Sequence, residues 1–297
     1  MLDPTTKPRC VALATCPEFP QLHTDDHALV AALAALGVAA EPMIWSDPAA
    51  DWCRFDAVVL RSVWDYYTRA VEFRAWLDRL EAQRVPLYNP APIVRRNLDK
   101  TYLRALAGRG LAVVPTAWIT PADEPALDAR LAELPWDEVV VKPAVSAGAF
   151  RTVRSTADAL RRDPTPLRQV LQDATALVQP YLRGIERDGE WSFLFFGQTY
   201  SHAVVKRPKA GDFRVQWRHG GSHAGVEPTP QLRREAEALF AQLDEGALYT
   251  RIDGVIERGR FLLMEVELIE PYLFLGEAPG AAERFAAALL AKIAPAP

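Results

Sequence analysis

Three acids and an arginine near the C-terminal end carry the densest chemical signal in the chain. Arg251 and Asp253 lie in the β-rich run Arg251-Ile252-Asp253-Gly254-Val255-Ile256, and Glu265 and Glu267 lie in Phe261-Leu262-Leu263-Met264-Glu265-Val266-Glu267. Between the runs stands Glu257-Arg258-Gly259-Arg260, so the pair reads as a hairpin around a glycine-bearing turn. Side chains alternate along a strand, which puts Glu265 and Glu267 on one face. A three-residue loop over 258–260 then sets Asp253 opposite Glu265 and Arg251 opposite Glu267. Two carboxylates about 5 Å apart repel by roughly 3 kcal/mol at an effective dielectric near 20, a cost that cations or raised pKa values must offset. Arg251 offsets part of it. A hard divalent cation bound through oxygen, with phosphate oxygens completing its shell, would offset the rest. The alternative is a solvated hairpin whose acids face water.

Other stretches offer complementary chemistry. Val139-Val140-Val141-Lys142-Pro143 is an apolar strand ending in lysine, followed by the small-residue loop Ala144-Val145-Ser146-Ala147-Gly148-Ala149, an arrangement that places a cation on phosphates. Arg207 to Ser222 is basic and glycine-bearing, with Arg207, Lys209, Arg214 and Arg218 as its cations. With no anion to meet, this stretch is expected to be mobile and to close over a ligand. Arg61-Ser62-Val63-Trp64-Asp65-Tyr66-Tyr67 follows the strand Ala57-Val58-Val59-Leu60 and packs an arginine, an acid and three aromatics into seven residues. Arg61 suits a carboxylate and Asp65 an ammonium group, while Trp64 limits the volume, so a small zwitterion fits this loop. The His23-Thr24-Asp25-Asp26-His27 cluster reads as the first turn of a helix capped by Thr24 or Asp25 rather than a metal site.

The elements that must position these residues follow from pattern. Cys10 to Thr15, Ala39 to Trp45, Phe55 to Arg61 and Pro86 to Tyr88 read as strands. They alternate with helices at 25–36 and 69–83, the second with Val71, Phe73, Trp76, Leu77 and Leu80 at helical spacing. This is a small α/β sheet, and loops beyond its carboxyl strand ends form the ligand crevice. Asn89-Pro90-Ala91-Pro92 is a junction, after which a helix capped by Asn97 begins. Further strands are expected at 139–143, 189–196 and 200–206, with an apolar segment at 177–182, and helices at 121–134, 231–243 and 281–294. At 297 residues and 49% hydrophobic content the chain is long enough for two or three lobes. A net charge of −4 provides no general field for nucleic acid or an anionic membrane. Cys10, Cys16 and Cys53 form no C-x-x-C pair, no apolar run is long enough to span a bilayer, and the N-terminus has no signal-peptide pattern. The expected compartment is the cytoplasm. P-loop, dinucleotide, protein-kinase and serine-hydrolase motifs are missing.

The order of these features resembles one superfamily. An Asn-x-Asp-Lys helix at 97–100, a Val-Lys-Pro strand end at 141–143 and a Ser/Gly loop come first; Val-Gln-Pro-Tyr at 178–181, Gly-Glu-Trp-Ser at 189–192, Arg-x-Asp at 251–253 and Glu-x-Glu at 265–267 follow. Together they look like the ATP-grasp superfamily, nearest to glutathione-synthetase-like carboxylate-amine ligases and, more narrowly, to the D-cycloserine synthetase type. The resemblance implies an ATP-grasp fold with a small N-terminal α/β domain: 1–95 for substrate, 96–187 the central lobe and 188–297 the C-terminal lobe with the metal site. It implies that Lys100 and Lys142 contact ATP phosphates, that Ser146 to Ala149, including Gly148, form a phosphate lid, and that Gln179, Pro180, Tyr181 and Leu182 line the adenine. Glu190 or Glu186 would lie near the ribose. Lys206, Arg214 and Arg251 would meet the transferred phosphoryl group, and Asp253, Glu265 and Glu267 would hold two magnesium ions. Substrate contacts fall to Arg61, Ser62, Trp64 and Asp65, with a small amino-acid derivative, O-ureido-D-serine foremost, as the substrate. Such ligases phosphorylate a carboxylate and let an amine attack the acyl phosphate, and a homodimer is frequent among them. A small-molecule kinase and a non-catalytic nucleotide-binding module are the alternatives. Two departures stand out: Glu267 occupies a position that is often Asn, and the lid is poor in glycine.

Overall fold

The apolar run Ala57-Val58-Val59-Leu60 is buried on both faces, as a central parallel strand requires. In the computed structural model, which describes residues 9–243 and 246–293, it belongs to the strand β3. The first sheet has the order β2-β1-β3-β4, all parallel, from β1 (Arg9–Thr15), β2 (Val38–Ile44), β3 (Ala57–Ser62) and β4 (Leu87–Tyr88). Alternation along β1 sorts the packing. Val11 and Leu13 face helices Thr24–Ala35 and Ala281–Ile293 through Leu29, Leu33, Phe285 and Leu289, while Ala12 and Ala14 face Trp45, Phe73, Trp76 and Leu77. The first of these cores continues into Leu194, Phe196 and Val204 of the last sheet, so the two sheets share buried apolar surface.

The second sheet is antiparallel, β5-β8-β6-β7, built from β5 (Ala117–Ile119), β6 (Glu138–Pro143), β7 (Val153–Thr156) and β8 (Ala176–Pro180). Val139, Val141 and Val178 pack on Leu127, Leu131, Leu167 and Leu171 from the short helices behind it. Val140 and Lys142 therefore point the other way. The third sheet, β11-β10-β9-β12-β13, comprises β9 (Glu190–Phe196), β10 (Thr199–Arg207), β11 (Ser222–Val226), β12 (Tyr249–Glu257) and β13 (Arg260–Glu267). Phe193, Phe195, Ile252 and Leu263 cover one face against Leu103, Leu106, Leu232 and Phe240.

Several expectations change. Asn97 does not cap a helix start; it ends the helix Ala91–Asn97, which begins at the proline-rich junction, where proline is tolerated in a first turn. Its amide instead donates to the Val266 carbonyl at 2.7 Å and accepts from Leu268 N at 2.9 Å. The first helix is capped by His23, whose Nδ1 accepts from Asp25 N at 3.3 Å. Val71, placed by period on a buried face, is 85% exposed, because the helix Ala70–Ala82 has barely begun there and no neighbour covers it. Ser222, expected within a loop, starts the edge strand β11. Residues 1–8, on which the reading of the N-terminus rested, and Ala294, the expected end of the last helix, lie outside the described residues.

Candidate active site

Register builds the centre of the site. Arg251 faces Glu267 and Asp253 faces Glu265 across the hairpin, as expected, but the turn is shorter than the three-residue loop assumed. Glu257 pairs with Arg260, leaving a two-residue turn of Arg258 and Gly259, both at positive φ, the backbone of a tight hairpin. A bulge at Met264 then shifts the register by one. Gly254 is required there: a Cβ would lie 2.3 Å from the Phe261 ring and 2.5 Å from the Leu262 carbonyl. On the other side of β12, Asp253 faces Ser192 of β9, whose hydroxyl donates to it at 2.6 Å, and Glu190 faces Lys206 of β10.

The result is a buried grid of opposite charges. Arg251 donates to Asp253 at 2.8 Å and to Glu267 at 2.6 Å, Lys206 lies 2.5 Å from Glu190 and 3.2 Å from Asp253, and Lys100 lies 2.9 Å from Glu265. Burial pulls the Lys206 ammonium down, but Asp253 and Glu190 outweigh it and its pKa is raised. Burial raises the Glu267 carboxyl, reinforced by Asp253 and Glu265 against the pull of Arg251. The donors suit a hard cation, since every ligating atom offered is a carboxylate oxygen. Among the described residues, however, no three acids, histidines or cysteines are gathered as a ready metal cluster, because lysine and arginine hold the carboxylates instead.

This grid lines a cavity of about 410 Å³ that runs between the second and third sheets and up to the loop after β3. Toward the second sheet the walls are Lys142, Val140, Gln179, Pro180, Tyr181 and Leu182. Burial lowers the Lys142 ammonium, and none of the ion pairs among the described residues includes it. The loop after β6 is tied down by Ser146 Oγ donating to Pro143 O at 3.0 Å and by Lys100 Nζ donating to Ser146 O, while Gly148 turns at φ 59°. Arg214 lines the cavity but pairs with Asp212 at 2.8 Å.

The far end is aromatic, with Trp64, Tyr66, Tyr67, Trp217, Tyr272 and Phe274. Beneath it run residues 268–273, an irregular segment with bends at Ile269 and Glu270 and no strand partner. Buried carbonyls outside a sheet need donors, and here six consecutive ones find six different side chains. Leu268 O accepts from Asn89 at 2.7 Å, Ile269 O from Tyr249 at 2.7 Å, Glu270 O from Trp64 at 2.9 Å, Pro271 O from Arg61 at 3.0 Å, Tyr272 O from Arg251 at 3.0 Å and Leu273 O from His202 at 3.0 Å.

Arg61 and Ser62 consequently fall outside the cavity, which corrects their assignment to substrate. β3 runs through Ser62, one residue beyond the expected strand end, and a bulge at Arg61 in its pairing with β1 lets both side chains turn into the protein toward Asp26. Arg61 is 1% exposed and donates to Asp26 at 2.8 Å, and Ser62 donates to the same carboxylate at 2.9 Å. Trp64 and Asp65 do line the cavity, but Asp65 accepts from Trp45 at 2.7 Å and pairs with Arg69 at 3.3 Å. Glu186 also lies outside it, accepting from Tyr181 at 2.6 Å; Glu190 is inside. The cations of 207–222 are not without anions, for besides the Arg214 pair Arg218 meets Glu18 at 2.6 Å. Glu18, Trp217, Glu270 and Tyr272 line the cavity without having been assigned a role. For Glu270 a signal existed: an acid before a proline, three residues beyond Glu267.

The chain is 34% identical over 284 residues to the cycloserine biosynthesis protein DcsG of Streptomyces lavendulae, covering 90% of this chain and 93% of that protein. The family described as D-cycloserine synthetase DcsG, N-terminal domain, matches residues 11–89. The crystal structure of D-cycloserine synthetase DcsG is similar with a TM-score of 0.86 at 30% identity, over 96% of this chain and 100% of that one. The ATP-grasp ligase PsnB, solved with a minimal precursor, Mg and ADP, gives a TM-score of 0.63 at 17% identity over 99% of this chain and 100% of that one. D-alanine–D-alanine ligase from Bacillus anthracis gives 0.66 at 15% identity over 97% of each chain. The last two carry the fold alone.

Proposed function

The chain belongs to the D-cycloserine synthetase family of ATP-grasp ligases, and on that premise we propose that it closes O-ureido-D-serine to D-cycloserine through an acyl phosphate. It is an ATP-dependent ligase of α/β architecture. The observation that carries the substrate reading is that a charge grid fit for phosphoryl transfer and an aromatic end share one cavity of about 410 Å³. The substrate carboxylate would attack the γ-phosphorus with departure of ADP. The nitrogen bonded to oxygen in the same molecule would then attack the acyl carbon and expel phosphate, closing a five-membered ring; hydrolytic loss of the carbamoyl group completes the product. Attack within one molecule gains heavily from proximity.

In this reading Lys100, Lys142 and the loop of Ser146 and Gly148 bind the nucleotide phosphates, and Gln179, Pro180, Tyr181 and Leu182 bind its base, with Glu190 toward the ribose. Lys206, Arg214 and Arg251 hold the phosphoryl group in flight, where positioned charge counts most. Asp253, Glu265 and Glu267 would hold magnesium, two ions on this assignment, and bound magnesium would neutralise phosphate charge. Residues 1–95 would serve the substrate, 96–187 the nucleotide, and 188–297 the metal and the chemistry. The test is ADP release across D- and L-amino acids and O-ureido-D-serine, with mass analysis of the product. ADP release specific to O-ureido-D-serine, with a D-cycloserine mass, is expected. Release driven only by some other acid would overturn the substrate assignment.

A further inference from the structure

One acid of the cavity has no cation at ion-pair distance among the described residues, and Lys100 and Arg251 only partly offset its burial from further off. Asp253, Glu265, Glu267 and Glu190 each lie within ion-pair distance of a lysine or arginine. None of the ion pairs among the described residues includes Glu270, although it is 6% exposed and lines the cavity. A carboxylate that is taken out of water without a cation is costly, and a cationic ligand relieves that cost.

Its placement is also fixed. Glu270 sits in the middle of the pinned segment, where its own carbonyl is held by Trp64 Nε1 at 2.9 Å and those on either side by Tyr249 at 2.7 Å and Arg61 at 3.0 Å. Trp64 and Tyr272, with ring centroids 6.3 Å apart, both line the cavity beside it, and aromatic faces attract cations. The competing acid, Asp65, has one oxygen taken by Trp45 and the other by Arg69.

We propose that Glu270 receives the α-ammonium group of the substrate, flanked by Trp64 and Tyr272, and that it rather than Asp65 makes the site select an amino acid over a plain acid. This rests on the substrate reading above. A carboxylate carried on a pinned backbone is a better selector than one on a loose loop, because a substrate without the ammonium leaves it buried with no cation beside it.

The test compares ADP release driven by O-ureido-D-serine with that driven by its des-amino counterpart, 3-(ureidooxy)propanoate. The wild type is expected to favour the amine by about 30-fold in kcat/KM, and Glu270→Gln to reduce that preference to within about threefold while the KM for ATP stays unchanged. Glu270→Asp, which keeps the charge but withdraws it, should fall between the two and also serves if the glutamine variant is unstable. A Glu270→Gln enzyme that retains the full preference would overturn the assignment. So would equal loss on both compounds with a raised magnesium requirement, which would make Glu270 a metal ligand. If neither compound drives ADP release in the wild type, the substrate reading fails and this inference with it, whereas in the first two cases that reading survives.

Discussion

Arg61 shows how far residue type alone carries a functional argument. An arginine at a strand end beside aromatics has the chemistry of a carboxylate receptor, and that much is legible in sequence. Which way it points depends on one residue of strand length, and on Asp26, 35 positions earlier, which takes its Nε at 2.8 Å. Its second commitment, to the Pro271 carbonyl, spans 210 positions. No local pattern reports either partner. Breaking a buried pair by removing one member leaves the other charge stranded, so Arg61→Ala is expected to lower the unfolding free energy by about 3 kcal/mol. Urea denaturation measures this. A change below about 1 kcal/mol would be the behaviour of a surface pair and would contradict the structural role.

At the scale of elements, the hairpin was readable because its signals are local: alternation, a glycine turn and like charges two apart. The predicted facing pairs form, yet by a two-residue turn and a compensating bulge, a difference that alternation cannot reveal. The helix Thr24–Ala35 and the strand β10 carry a second consequence, in acid. His202 is buried with Nε2–H donating to Leu273 O, and burial pulls its pKa down to about 4 from 6.5. The folded state then binds fewer protons, so this stability is complete above pH 6.5 and is lost as pH falls toward 4. Asp25, in the helix's first turn, has Oδ2 buried without a partner among the described residues, and burial beside Asp26 pushes its carboxyl up to about 6 from 3.8. Its penalty is full above pH 6 and is relieved as pH falls toward 3.8, the opposite sign. The two contributions oppose each other between pH 4 and 6. Asp25→Asn removes the relief, so between pH 6.5 and 4.5 the variant should lose about 1 to 2 kcal/mol more stability than the wild type. Parallel pH profiles for the two proteins would refute this balance.

Across the whole molecule, three sheets and the pinned segment enclose the site, and the order of sheets along the chain follows the order of motifs read in sequence. What was not legible is how distant parts close on one another. The stretch 207–222 was expected to be loose for want of anions, but Glu18, 200 positions earlier, meets Arg218, which also lies over the Trp217 ring at 4.9 Å. Both partners are about half exposed, so the pair is weak. Glu18→Gln should therefore speed tryptic cleavage at Lys209 and Arg214 by about two- to fivefold without ligand. An unchanged digestion rate would show that Glu18 does not restrain the stretch. Among the described residues no helix is long and apolar enough to cross a membrane. The pinned segment has a further meaning for how such an enzyme changes over generations. Its six anchors grip carbonyls, which every amino acid possesses, and they come from residues 61, 64, 89, 202, 249 and 251. The side chains at 270 and 272 can thus be exchanged while the backbone beneath them keeps its course. Diversity in what the pocket accepts can accumulate there, and the cost falls on the ligand instead of on folding.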